Sequence, residues 1–175
     1  MLFSKNRVPV LSSPKVGILD LGGEKTKRLA ESDASFLKTL FAEVQVVDLA
    51  APTCDVLFLY AELTAEGAVL GSSRGIREII RDSGAKVVIV ASANPSGHYI
   101  KAGKRKAYGQ ANLVMTLDRC GDAFGRFFLA LFSMMKRGAS MSSAWAELNP
   151  QVPGQEQSDR PVTIFACEIG PLTFI

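Results

Sequence analysis

The sequence has few residues of the types that hold metal ions. One histidine stands among 175 residues, and the three cysteines are widely spaced, with no C-x-x-C pair. A structural zinc site needs four such ligands at suitable spacing, so we expect no metal site. We interpret the three cysteines as reduced thiols of a cytosolic protein: Cys54, Cys120 and Cys167.

Long apolar runs are absent as well. No stretch approaches the roughly 18 apolar residues of a membrane span, and the first residues lack the apolar core of a signal peptide. The net charge is only +3, whereas proteins that bind nucleic acid usually concentrate far more Lys and Arg. We therefore expect a cytoplasmic protein that binds neither a membrane nor nucleic acid.

Short strand-like runs, most of them apolar throughout, alternate with helical patterns along the chain. The strand-like runs are predicted at residues 15–21, 45–49, 55–60, 86–92, 113–117 and 162–167. Helical spacing of apolar residues predicts helices at 36–44, 76–80, 124–135 and 142–148. This order predicts an α/β fold with an open, mostly parallel sheet of five to six strands and helices on both faces. We assign residues 1–14 to an N-terminal arm and 15–175 to a single domain.

Binding sites of parallel α/β sheets form at the carboxyl ends of the strands, so the loops there are the first place to look for function. The loop after the fourth predicted strand is long and contains three glycines and four cations, Lys101, Lys104, Arg105 and Lys106. Such a loop can bind a phosphate or an acidic partner. No P-loop and no dinucleotide-binding motif is present, and we expect no cofactor.

Two segments at this edge resemble CHAT-type caspase-like domains. Residues 55–63 (DVLFLYAEL) look like the third-strand segment, which ends in the catalytic His-Gly of that family. Residues 92–97 (SANPSG) look like the fourth-strand segment Ser-Ala-Cys-Glu-Thr-Gly. The order and spacing of the later segments also match, so the resemblance covers roughly residues 54–175. It implies the three-layer caspase-like fold.

The resemblance places Glu62 at the position of the catalytic histidine and Asn94 at the position of the nucleophilic cysteine. A cysteine peptidase needs a thiolate that attacks the peptide carbonyl and an imidazole that assists it. The amide of Asn94 cannot be that nucleophile. The resemblance therefore implies an inactive domain that serves protein recognition or regulation through a protein partner. Its pseudo-active site would comprise Glu62, Asn94, Ser92 and Ser96.

Two further functions remain open. His98 follows the fourth predicted strand and Cys120 follows the fifth. Because catalytic pairs are defined by geometry and not by chain order, a relocated pair of these two residues would give a hydrolase or cysteine peptidase. The cationic loop would instead give a module that binds a small anion or a nucleotide.

Overall fold

Eight strands and five helices make up the computed structural model, which describes residues 9–103, 109–149 and 160–175. The strands are β1 Val10–Leu11, β2 Val16–Asp20, β3 Val44–Val47, β4 Val56–Tyr60, β5 Val87–Val90, β6 Asn112–Asp118, β7 Val162–Ala166 and β8 Thr173–Phe174. The helices are α1 Glu24–Leu37, α2 Ile76–Ser83, α3 Ser96–Gly103, α4 Ala123–Lys136 and α5 Met141–Leu148.

Six strands form the main sheet, in the order β3-β2-β4-β5-β6-β7. The first five are mutually parallel, and β7 runs antiparallel to β6. Every residue of β2, β4 and β5 is buried, as expected for central strands covered on both faces. The chain leaves β2 toward β3 on one side and leaves β4 toward β5 on the other. The carboxyl ends of β2 and β4 therefore meet where the connections diverge, a common position for a binding site.

Each face of the sheet has its own apolar core. One core lies between the sheet and helices α1, α4 and α5, and there the Phe58 ring meets Phe124 and Phe128 at centroid distances of 6.5 and 5.6 Å. The other core lies under α2 and α3 and includes Leu57, Leu59 and the apolar side of α2. Helices on both faces confirm the predicted α/β class with its mostly parallel sheet.

Several predicted element boundaries are wrong. The first helix is α1, which lies mainly within the polar stretch before Phe36, and residues 41–43 are not helical. The long loop after β5 contains helix α3. Two further features were not specified by the prediction: β7 runs antiparallel to β6, and Val10–Leu11 of the N-terminal arm form β1, which pairs with β8. Within the described ranges, no helix is long and apolar enough to cross a membrane.

Candidate functional site

The side chain of Asn94 joins two strand ends at the carboxyl edge of the sheet. Its Oδ1 accepts a hydrogen bond from Leu63 N at 2.8 Å, and its Nδ2 donates to the Ala61 carbonyl at 3.2 Å. The Ala61 carbonyl and the Leu63 N–H lie on either side of Glu62. They point in the same direction, as the carbonyl before a residue and the N–H after it do in an extended segment. The carboxamide therefore pairs with the segment after β4 as the backbone of a neighbouring strand would.

The Asn94 amide has further partners within the protein. Its Nδ2 also lies 2.9 Å from the Ser92 carbonyl and 3.1 Å from the Tyr99 hydroxyl, and the residue is only 5% exposed. Tyr99 in turn donates toward the Thr116 carbonyl at 2.9 Å. Burial raises the pKa of Tyr99 to about 12, so its hydroxyl stays protonated at neutral pH. Asn94 thus belongs to a buried network that ties together the ends of β4, β5 and β6.

Glu62 lies next to Asn94 at the edge of the sheet, but its side chain contacts other groups. Its carboxylate forms an ion pair with Lys25 of α1 at 3.1 Å, and 41% of its side chain is exposed. Its backbone carbonyl accepts from Leu70 N, which closes a short hairpin over residues 62–70. The structure therefore brings the positions of Glu62 and Asn94 together, while their side chains serve separate contacts.

The tip of that hairpin packs directly against α3. Gly67 has a φ of 80°, and a Cβ atom there would lie 2.2 Å from the backbone nitrogen of Ala102. Only glycine satisfies both the left-handed conformation and the close approach. The hairpin, Asn94 and α3 thus form one packed junction at the carboxyl edge of the sheet.

His98 and Cys120 have different hydrogen-bond partners. The His98 Nδ1 lies 2.9 Å from the Leu63 carbonyl, whereas the Cys120 Sγ lies 2.9 Å from the Arg160 carbonyl and 3.5 Å from Asp118 Oδ2. Cys120 also has a φ of 52°, in the left-handed region. The relocated dyad remains a prediction.

The other predicted site residues differ in their surroundings. Ser92 is 8% exposed, and its Oγ has no hydrogen-bond partner within the described part of the chain. Ser96 is exposed at the first position of α3. Lys101 is an exposed residue of α3. The remaining cations of the predicted anion-binding loop, Lys104, Arg105 and Lys106, lie outside the described residues.

A buried polar cluster that the sequence interpretation missed lies at the same edge. Asp33 on α1 accepts hydrogen bonds from the Tyr60 hydroxyl and from Arg119 Nη2, and the Arg119 guanidinium lies 4.0 Å from the centroid of the Phe124 ring. Burial and the nearby Asp33 carboxylate raise the pKa of Tyr60 well above its ordinary value. One sequence signal was present, since Asp33 falls between Ala30 and Leu37 on the apolar face of α1.

The described residues contain no group of three or more His, Cys, Asp or Glu side chains suited to a metal ion. Comparisons with protein-family models, with curated proteins and with solved structures gave no match.

Proposed function

We propose that this chain is a caspase-like module without peptidase chemistry that acts by recognising another protein. Support for the first part comes from Asn94. A nucleophile must be free to reach a substrate carbonyl, whereas both ends of the Asn94 carboxamide are bonded to buried groups of the protein itself. At the position corresponding to a catalytic nucleophile, the side chain has a structural role.

Glu62 supports the same conclusion. Its carboxylate is exposed and could accept a proton, but Asn94 beside it offers no thiol to activate. The Glu62 carboxylate faces Lys25 on α1, and the hairpin that begins at Glu62 packs against α3. The proposal is therefore that this edge is a packed structural junction without peptidase chemistry.

A surface suited to recognition lies on β7, the terminal strand of the main sheet. Val162 and Ile164 are 49% and 39% exposed, and they project from the face of β7 opposite to Thr163 and Phe165, which contact Trp145. We call Val162, Ile164 and the half-buried Met115 and Leu117 of β6 the β7 patch. The strand itself carries no charge and no proline. An uncharged terminal strand with an apolar face is suited to pairing with an extended peptide.

A displayed library of random peptides tests the recognition proposal. The wild-type protein should enrich peptides that alternate apolar residues, because an added strand presents every second side chain to the β7 patch. The double variant Val162→Lys/Ile164→Lys should lose binding to the enriched peptides by at least tenfold. As a matched control, Leu49→Lys/Leu70→Lys changes two exposed apolar residues elsewhere and should bind as the wild type does.

Two results would overturn the recognition proposal. One is the absence of any enriched peptide with the wild-type protein. The other is binding that survives in Val162→Lys/Ile164→Lys at the wild-type affinity, since that would place recognition away from β7.

A further inference from the structure

A groove of about 560 Å³ lies at the opposite edge of the molecule, beside the amino ends of β5 and β6. The two-stranded β1–β8 sheet forms one side of it, and the turn between α2 and β5 forms another. Its volume falls within the usual range for small-molecule sites. The apolar part of its lining consists mainly of Leu11, Ala85, Ile169 and Leu172.

The walls of this groove are fixed by internal hydrogen bonds. The buried Asn112 side chain donates to the Gly170 carbonyl at 2.9 Å and accepts from Ile169 N at 3.1 Å. Across the β1–β8 sheet, Thr173 N donates to the Pro9 carbonyl and Ile175 N to the Leu11 carbonyl. A preformed wall lowers the ordering cost that a ligand would otherwise have to overcome.

The charged side chains described in the lining of the groove are both cationic. Arg81 and Lys86 are the charged residues among those described in its lining, and no described lining residue is acidic. The Arg81 Nε lies 3.4 Å from Asp82, and 63% of the Arg81 side chain stays exposed. Lys86 has no carboxylate partner within residues 9–103, 109–149 and 160–175. Two exposed cations beside an apolar wall favour a ligand with an anionic end.

We propose that this groove binds a small amphipathic carboxylate with an acyl chain. The acyl chain would lie along the apolar wall, and the carboxylate would face Arg81 and Lys86. The site is separate from the carboxyl edge of the sheet, where Asn94 lies. It does not depend on the proposed recognition function.

Isothermal titration calorimetry with N-octanoylglycine tests the proposal. The wild-type protein should bind this probe, and it should bind the methyl ester, which lacks the charge, about tenfold more weakly. Arg81→Ala/Lys86→Ala should also lose about tenfold in affinity, since each exposed charge contact contributes a modest amount. Amide NMR shifts on titration should centre on Gly84, Ala85 and Ile169.

The double variant Arg28→Ala/Lys38→Ala serves as the control because it removes the same charge from exposed positions on and just after α1. It should bind N-octanoylglycine like the wild type. The proposal is overturned if the wild type does not bind at millimolar concentration, if the ester binds as tightly as the acid, or if both double variants lose affinity equally. Amide shifts that centre on the β7 patch would also overturn it.

Discussion

Asn94 shows how one side chain can take the place of a backbone segment. Its carboxamide contacts the backbone on both sides of Glu62, so it extends the pairing of β4 and β5 beyond the last strand residues. A cysteine at this position would have one weakly bonding sulfur in place of an acceptor and a donor pair. The asparagine is therefore suited to hold the edge together.

Replacing Asn94 by alanine should lower the free energy of unfolding by about 2 to 6 kcal/mol. The change leaves the Leu63 N–H and the Ala61 carbonyl buried without their partner, and each unsatisfied group costs about 1–3 kcal/mol. Urea denaturation measures the effect. The control Ser96→Ala alters an exposed neighbour and should stay within about 0.5 kcal/mol of the wild type. An Asn94→Ala protein as stable as this control would contradict the structural role.

Tyr99 should make the protein less stable at high pH. Its pKa is raised by burial from the ordinary value of 10.0 to about 12, so above pH 10 the unfolded chain releases a proton that the folded protein retains. The contribution of Tyr99 to stability is complete below pH 10 and is lost as the pH rises toward 12. At pH 11 the loss should be about 1 kcal/mol.

Urea midpoints at pH 8 and pH 11 test this prediction for Tyr99. The variant Tyr99→Phe is less stable at both values because it lacks the hydroxyl bonds, but it should lose about 1 kcal/mol less between them. An equal loss in both proteins would mean that the Tyr99 hydroxyl is not shielded from solvent.

Residue types alone predicted this site only in part. The resemblance of residues 92–97 to a caspase-like segment drew attention to Asn94, and that resemblance stays a prediction. The partners of Asn94 could not be predicted, since they are backbone groups whose positions depend on how β4 and β5 pair. The Asp33–Arg119 contact joins residues 86 positions apart, and only the spacing of Asp33 on an apolar helix face hinted at it.

At the scale of elements, strands were predicted better than helices. Continuous apolar runs marked β2, β4 and β5 because these strands are buried on both faces. Helix α3 was missed because it begins at Ser96 after Pro95, carries two glycines and buries only Tyr99 among its side chains. Such a helix lacks the apolar stripe that reveals α4 in the sequence.

Gly17 in β2 has no room for a larger side chain. A Cβ atom there would lie 2.5 Å from Pro52 Cγ and 2.8 Å from Cys54 Sγ. Gly17→Ala should therefore cost about 1–3 kcal/mol in unfolding free energy, as overpacking usually does. Gly97→Ala in α3 is the matched control, because its added methyl group meets nothing within 4 Å and alanine favours helix. A thermal unfolding series that ranks Gly17→Ala as stable as Gly97→Ala would refute the close approach.

At the scale of the whole molecule, the two edges of the sheet differ in character. At the ends of β4, β5 and β6, the carboxyl edge is filled by the 62–70 hairpin, the Asn94 network and the Asp33–Arg119 pair. The amino edge has an open groove of about 560 Å³ between β1–β8 and the main sheet. The mostly parallel sheet with helices on both faces followed from the alternation of strand and helix patterns. The antiparallel β7 and the β1–β8 pair did not, because both depend on contacts between distant parts of the chain.

Peptide hydrolysis tests the central claim most directly. The wild-type protein, Cys120→Ala and His98→Ala are each incubated at neutral pH with a broad peptide library, and cleavage products are measured by mass spectrometry. We predict that all three produce no cleavage above a blank without protein, because Asn94 is held by buried contacts and Glu62 has no thiol to activate. Turnover by the wild-type protein that disappears in Cys120→Ala or His98→Ala would contradict the claim and would establish a relocated catalytic pair.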